Sequence, residues 1–164
     1  MFKLDPSGTE TVIYSFAGPN KGDGSTPYAG LIMDAAGNLY GTTLQGGAFD
    51  WGTVFKIDTT GTETVLYSFT GGADGSQPQA GVIMDKNGNL YGTTPISGTK
   101  NHGVIFKLDP AGKEIALYTF PNNSGGKNPM GELLRGPNGN LYGTASDGGG
   151  SPCSFCGVVF RLVP

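Results

Sequence analysis

One hexapeptide, Gly-Asn-Leu-Tyr-Gly-Thr, returns three times along this chain, at 37–42, 88–93 and 139–144, with an interval of 51 residues both times. A fixed period of this size means that each copy is one supersecondary unit that buries its apolar face only by stacking on its neighbours. The flanking sequence repeats with it. Gly30-Leu31-Ile32-Met33-Asp34, Gly81-Val82-Ile83-Met84-Asp85 and Gly131-Glu132-Leu133-Leu134-Arg135 lie upstream. Downstream come Thr53–Asp58, Val104–Asp109 and Val158–Leu162, each with the pattern apolar-Phe-basic-apolar. A fourth segment ends in Tyr-Ser-Phe or Tyr-Thr-Phe, at Val12–Phe16, Val65–Phe69 and Ala116–Phe120. Each unit therefore offers four strands, and Val12, Tyr14 and Phe16 alternate with Ile13 and Ser15 at the period of a sheet.

The turns between them are equally regular. Asp34-Ala-Ala-Gly-Asn38, Asp85-Lys-Asn-Gly-Asn89 and Arg135–Asn140 set Gly beside Asn or Asp between apolar runs, the chemistry of a tight hairpin. Asp5–Gly8, Asp58–Gly61 and Asp109–Gly112 do the same between the third and fourth strands. The sequence thus predicts an all-β fold: a β-propeller of four-stranded antiparallel blades, three repeats per chain. A β-prism or solenoid is the alternative. The divisions are 1–28 (outer strands completing a blade), 29–79 and 80–130 (blades) and 131–164 (a partial blade). Tight turns gather on one rim and the long connections on the other. These are 17–29, 70–80 and 121–130 between units, and 44–52, 95–103 and 146–157 within them. Long loops on a rigid scaffold are where binding usually resides.

The third-strand pattern occurs four times, at Phe2, Phe55, Phe106 and Phe160, and the other three strands three times each. Three blades fall below the four to eight of a closed ring. A dimer of two three-blade halves would give six, residues 9–16 of each chain completing the partner's last blade. A longer array with open edges, or fibre-like assembly, is the alternative.

Composition narrows the function. Gly and Pro, 30 and 11 of 164 residues, approach the level of disordered chains, but 37% of the chain is hydrophobic and clustered in short runs. A net charge of −3 with scattered Lys and Arg excludes a nucleic-acid face. No apolar run approaches the roughly 20 residues that span a bilayer. Met1–Asp5 reads as part of a repeat and not as a signal peptide. Cys153 and Cys156 form a lone C-x-x-C. Zinc would want a second pair or histidines, and His102 is the only one, so a disulfide stapling the loop is favoured over free thiols. That fits an oxidising compartment. No cofactor and no metal site is read.

At Gly-Asn-Leu-Tyr-Gly-Thr-Thr, together with Gly-Thr-Val-Phe-Lys, Val-Leu-Tyr-Ser-Phe-Thr-Gly and Asp-Gly-Ser-x-Pro, the whole chain resembles the bacterial choice-of-anchor tandem-repeat proteins with GloVer repeats. The resemblance implies a propeller-like fold and an exported, often surface-attached protein, with no catalytic motif to transfer. The C-terminal sorting segment of anchored members is missing here. The second strand and its hairpin also look like NHL-type blades.

Candidate ligand-binding residues lie on the long-loop rim: Asp23, Asp50, Trp51, Asp74, Asn101, His102, Asp147 and Phe155. Asp23 and Asp74 open Asp-Gly-Ser-x-Pro motifs, where a carboxylate can hold a cation or sugar hydroxyls, or else cap its own turn. Trp51 beside Asp50 makes a sugar-stacking pair, or packs over the blade end. Asp85-Lys-Asn87-Gly-Asn89 resembles the start of a calcium loop but lacks its later Glu, and reads as a hairpin. The six repeated tyrosines belong to blade interfaces. The resulting expectation is a non-catalytic, secreted or cell-surface module that binds glycan or another surface ligand, and itself. The alternatives are a hydrolase or lyase using clustered rim carboxylates, and a self-assembling structural repeat.

Overall fold

A computed structural model describes the chain apart from residues 19–21, 122–124, 151, 152 and 154, which belong to three of the long connections. Among the described residues there is no helix. β1 (Phe2–Leu4) and β2 (Glu10–Val12) form a hairpin, and β3 (Gly24–Ser25) follows in the first connection. β4 (Ile32–Met33), β5 (Leu39–Thr43), β7 (Thr53–Ile57) and β8 (Glu63–Ser68) make a four-stranded antiparallel meander, while β6 (Gln45–Gly46) leaves it to pair with β3. β9 (Ile83–Met84), β10 (Leu90–Thr94), β11 (Val104–Leu108) and β12 (Glu114–Thr119) repeat the meander. β13 (Leu134–Arg135), β14 (Leu141–Ala145) and β15 (Val158–Leu162) give its first three strands again. These are propeller-like blades, and β1–β2 stand as a sheet of their own.

The repeated hexapeptide has a steric reason. Its second Gly faces the third-strand Phe across the ladder, as Gly41↔Phe55, Gly92↔Phe106 and Gly143↔Phe160. A Cβ on Gly92 would lie 2.6 Å from Cζ of Phe106, so the ring fills the room a side chain would take. That ring also carries the next contact. Phe16 meets Phe55, Phe69 meets Phe106 and Phe120 meets Phe160, edge to face with centroids 5.0–5.3 Å apart. Each contact joins a Phe just beyond the outer strand of one unit to the third strand of the next, at about 1 kcal/mol beyond simple burial.

The core accordingly lies between blades. Val54 and Phe69 pack with Val82, Leu90, Val104, Phe106 and Leu108 in one wedge. Ile105 and Phe120 pack with Leu133, Leu141 and Ala145 in the next. Nearer the inner strands, Thr42 Oγ1 donates to the Ala80 carbonyl (2.8 Å) and Thr93 Oγ1 to that of Gly131 (3.3 Å). The rings of Tyr40, Tyr67, Tyr91 and Tyr118 sit in these wedges.

Candidate functional site

The long-loop rim is laced together by main-chain hydrogen bonds. Each connection between units pairs antiparallel with the inner loop that follows it: Gly24↔Gly46 and Ser25↔Gln45, then Ser76↔Ile96, then Lys127↔Asp147. The residue before each motif proline is the joint. Thr26, Gln77 and Asn128 hold φ of 53–58°, a left-handed conformation costing about 1 kcal/mol or more for a non-glycine residue. That conformation lets one residue serve two neighbours. The amides of Gln77 and Asn128 donate backwards to the carbonyls of Trp51 (2.8 Å) and His102 (3.0 Å). The carbonyls of Thr26 and Asn128 accept forwards from Leu44 and Ser146. In the middle copy Pro95 stands at the donor's place and has no N–H to give.

Asp23 and Asp74 do not face the rim surface. Both are buried. Asp23 Oδ2 accepts from the Tyr14 hydroxyl (2.9 Å) and the Ala17 amide (2.7 Å), and its Oδ1 from the Gly24 amide. Asp74 repeats this with the Tyr67 hydroxyl and Thr70 amide, and adds the Thr70 hydroxyl and Gly72 amide. Their carboxylates are saturated by the turn and the neighbouring tyrosine, the capping alternative that the sequence left open. Burial first, and then its bond to Asp23, pushes the Tyr14 hydroxyl up to about 12. In the third unit Gly125 takes this place.

The remaining candidates do sit at the surface, in separate loops. Asp50 is exposed, left-handed, and caps its loop by accepting the Gly46 amide (2.9 Å). Trp51 is 41% exposed, and its indole lies over Gly71, where a Cβ would come within 2.7 Å of Nε1. Asn101 is the left-handed counterpart of Asp50 one repeat on, and His102 is half-buried. Asp147 accepts from the Asn128 side chain. Cys153 and Cys156 are joined, Cα–Cα 5.6 Å, and hold between them Phe155, 76% exposed with the Lys127 ammonium 5.7 Å from its ring centre.

Two features escaped the sequence reading. Tyr28 follows the first motif proline, is 74% exposed, and lines a rim cavity of about 180 Å³ with Leu44 and Gln79. Its equivalents are Gln79 and Met130, so a variable position directly after a repeated Pro was the available signal. The second is Glu63 and its repeat Glu114. Their Oε1 atoms are buried without a hydrogen-bond partner among the described residues. Burial, and then the charge of Asp23 or Asp74, raises each carboxyl to about 7.

A cleft of about 600 Å³ lies on the other rim, between the first two blades, lined by Asp34, Asp85, Asp109, Lys56, Lys86 and Tyr40 among others. Its carboxylates are the turn residues themselves. Asp34 accepts the Ala36 and Asn38 amides, the Asn38 side chain and the Tyr40 hydroxyl, and the Asn38 side chain foremost holds it down at about 2. Asp85 repeats the pattern with Asn87, Asn89 and Tyr91, as a hairpin and not a calcium loop. Among the described residues no three of His, Cys, Asp and Glu come together as a metal site.

The sequence pattern of the Gloeobacter/Verrucomicrobia repeat matches residues 1–164. The chain belongs to that family. No curated protein matches this Gloeobacter/Verrucomicrobia repeat chain. Among solved structures it is similar to one described as a gluconolactonase, with 20% identity and a TM-score of 0.56. The match covers 99% of the repeat chain and 52% of the other, so the chain spans about half the length of that β-propeller. At this identity the likeness concerns the fold. The GloVer repeats thus supply the scaffold, and their inner loops differ in sequence from copy to copy.

Proposed function

We propose that the chain is an exported or cell-surface binding module whose long-loop rim takes an uncharged glycan. One observation carries this. Tyr28, Phe49, Trp51 and Phe155, four of the five exposed aromatics among the described residues, stand on the rim of the hydrogen-bonded belt. A ring face held on a rigid backbone offers contact area to a pyranose at little entropic cost. Beside the rings stand Asp50, Gln77, Gln79 and Asn128, which supply donors and acceptors for hydroxyls. The Tyr28–Leu44–Gln79 cavity, neutral and part apolar, suits one sugar ring. The Cys153–Cys156 bond fits an oxidising compartment and so supports export. A hydrolase would need rim carboxylates free to reach a substrate, and Asp23 and Asp74 are bound to tyrosine hydroxyls and loop amides.

A glycan array followed by titration calorimetry tests the proposal. Tyr28→Ala and Trp51→Ala should each weaken the strongest binder at least tenfold, the scale of a lost stacking contact. An array without binders, or two variants of unchanged affinity, would sink it.

A further inference from the structure

The two ends of the blade stack are complementary. In the first wedge Val54 meets Val82 and Leu90, and in the second Ile105 meets Leu133 and Leu141. The next residue in that series is Val159, whose counterparts Val54 and Ile105 are 0% and 1% exposed. Val159 is 81% exposed. At the other end of the stack the counterparts of Leu133 and Leu141 are Leu31 and Leu39, and they too lack the cover their repeats enjoy. A face of the Val159 kind and a face of the Leu31–Leu39 kind have already joined twice within this chain.

The strand edges match as well. β15 carries no fourth strand among the described residues. β2 has the fourth-strand sequence, and its partner is β1, in the register Phe2↔Val12, Lys3↔Thr11, Leu4↔Glu10. That is the register of a third strand on a fourth, as Phe55↔Val65, Lys56↔Thr64 and Ile57↔Glu63 show. β1 is thus a short stand-in for β15, with Phe2-Lys3-Leu4 in place of Phe160-Arg161-Leu162. It spans three residues, all exposed, whereas β15 spans five and would add Val158 and Val159 opposite Ser15 and Tyr14.

We infer that two copies of this chain close into a single ring, β15 of each replacing β1 on the β2 edge of the other. Val159 of one copy then packs on Leu31 and Leu39 of its partner, and two equivalent seams leave no blade face bare. The Phe16–Phe55 and Tyr14–Asp23 contacts within each copy stay as they are.

Light scattering on the eluting protein should give about 34 kDa, twice the 16.9 kDa of one chain, unchanged across a hundredfold dilution from micromolar concentration. A mass of 17 kDa throughout, or a series that grows with concentration, overturns the closed pair. Val159→Lys should halve the mass while the far-ultraviolet sheet signal is kept, and a variant that stays paired overturns the seam. Thr11→Cys with Arg161→Cys reads the register directly, because these positions face each other only across the exchanged edge. Oxidation should yield a covalent dimer on a non-reducing gel, and monomer alone would refute the exchange even if Val159→Lys failed to fold.

Discussion

The two rims of this stack are built on opposite rules. On the tight-turn rim one device recurs: Asp5, Asp34, Asp58, Asp85 and Asp109 each accept the amides two and four residues ahead. Glycines such as Gly37 and Gly88, φ 87° and 80°, complete those turns. There a side chain makes the turn in these five copies, and Gly136 holds the same place in the remaining one. On the long-loop rim the belt is made by amides and carbonyls, through left-handed Thr26, Gln77 and Asn128. Backbone bonds are indifferent to side-chain identity. A rim held this way can change what it displays in every copy without losing its frame, and that difference supports the proposal that binding resides there.

If the distinction is right, scaffold residues should fail by unfolding and display residues should not. The largest effect should come from Phe106→Ala, which empties the space over Gly92 and removes the contact with Phe69. A fully buried Phe lost from such a site costs about 4 kcal/mol, read as a drop in the urea midpoint. Asp74→Ala comes next. It leaves the Tyr67 hydroxyl and the Thr70 amide without their acceptor under the rim, for about 2–3 kcal/mol. Were Asp74→Ala to leave stability untouched while abolishing ligand binding, Asp74 would belong to the display set and the comparison would break.

Most of the scaffold was legible because period and pattern are backbone properties. The 51-residue interval, the Gly–Asn turns and the alternation in the fourth strand place strands and rims without knowledge of any contact. The relation of Gly92 to Phe106 was not legible, since it depends on which residues oppose each other across the ladder. Residue type alone does not place the rim side chains. Trp51, Asp50 and Phe155 lie at the surface, but the acidic Asp23 and Asp74 turned inward because a tyrosine nine or seven residues earlier supplied a hydroxyl. Each carboxylate and its tyrosine recur together in the sequence, so the pairing was visible as co-repetition but not as a bond. Tyr28 was passed over because its position, unlike its neighbours', does not repeat.

Glu63 and Glu114 sharpen the comparison by adding a cost to the scaffold. Both carboxyls are raised from 4.5 to about 7, burial being the larger cause. The folded state therefore holds protons that the unfolded chain releases above pH 4.5, and stability should fall as pH rises from about 4.5 to 7, then level off. Each side chain is partly in water, so the loss is about 1 kcal/mol per site and not the several of a fully buried acid. Glu63→Gln with Glu114→Gln should flatten the pH profile and be the more stable protein at pH 8, with the gap closing by pH 4. A profile of unchanged slope would mean that these carboxyls are hydrated and that the wedge carries no buried charge.

The smallest effect is the most discriminating. Trp51→Ala removes an indole that covers Gly71 on one side only, and Tyr28→Ala removes a ring mostly in solvent. The main-chain bond from Gln77 to the Trp51 carbonyl survives any side chain at 51. Expected losses are about 1 kcal/mol for Trp51→Ala and below about 0.5 kcal/mol for Tyr28→Ala, the range of surface substitutions, checked by the same urea midpoints. Two large aromatic rings kept in the open, with little to contribute to folding, are where selection for something other than stability would leave its mark. A loss of 3 kcal/mol from either variant would instead make the ring part of the frame and erase the contrast between the rims.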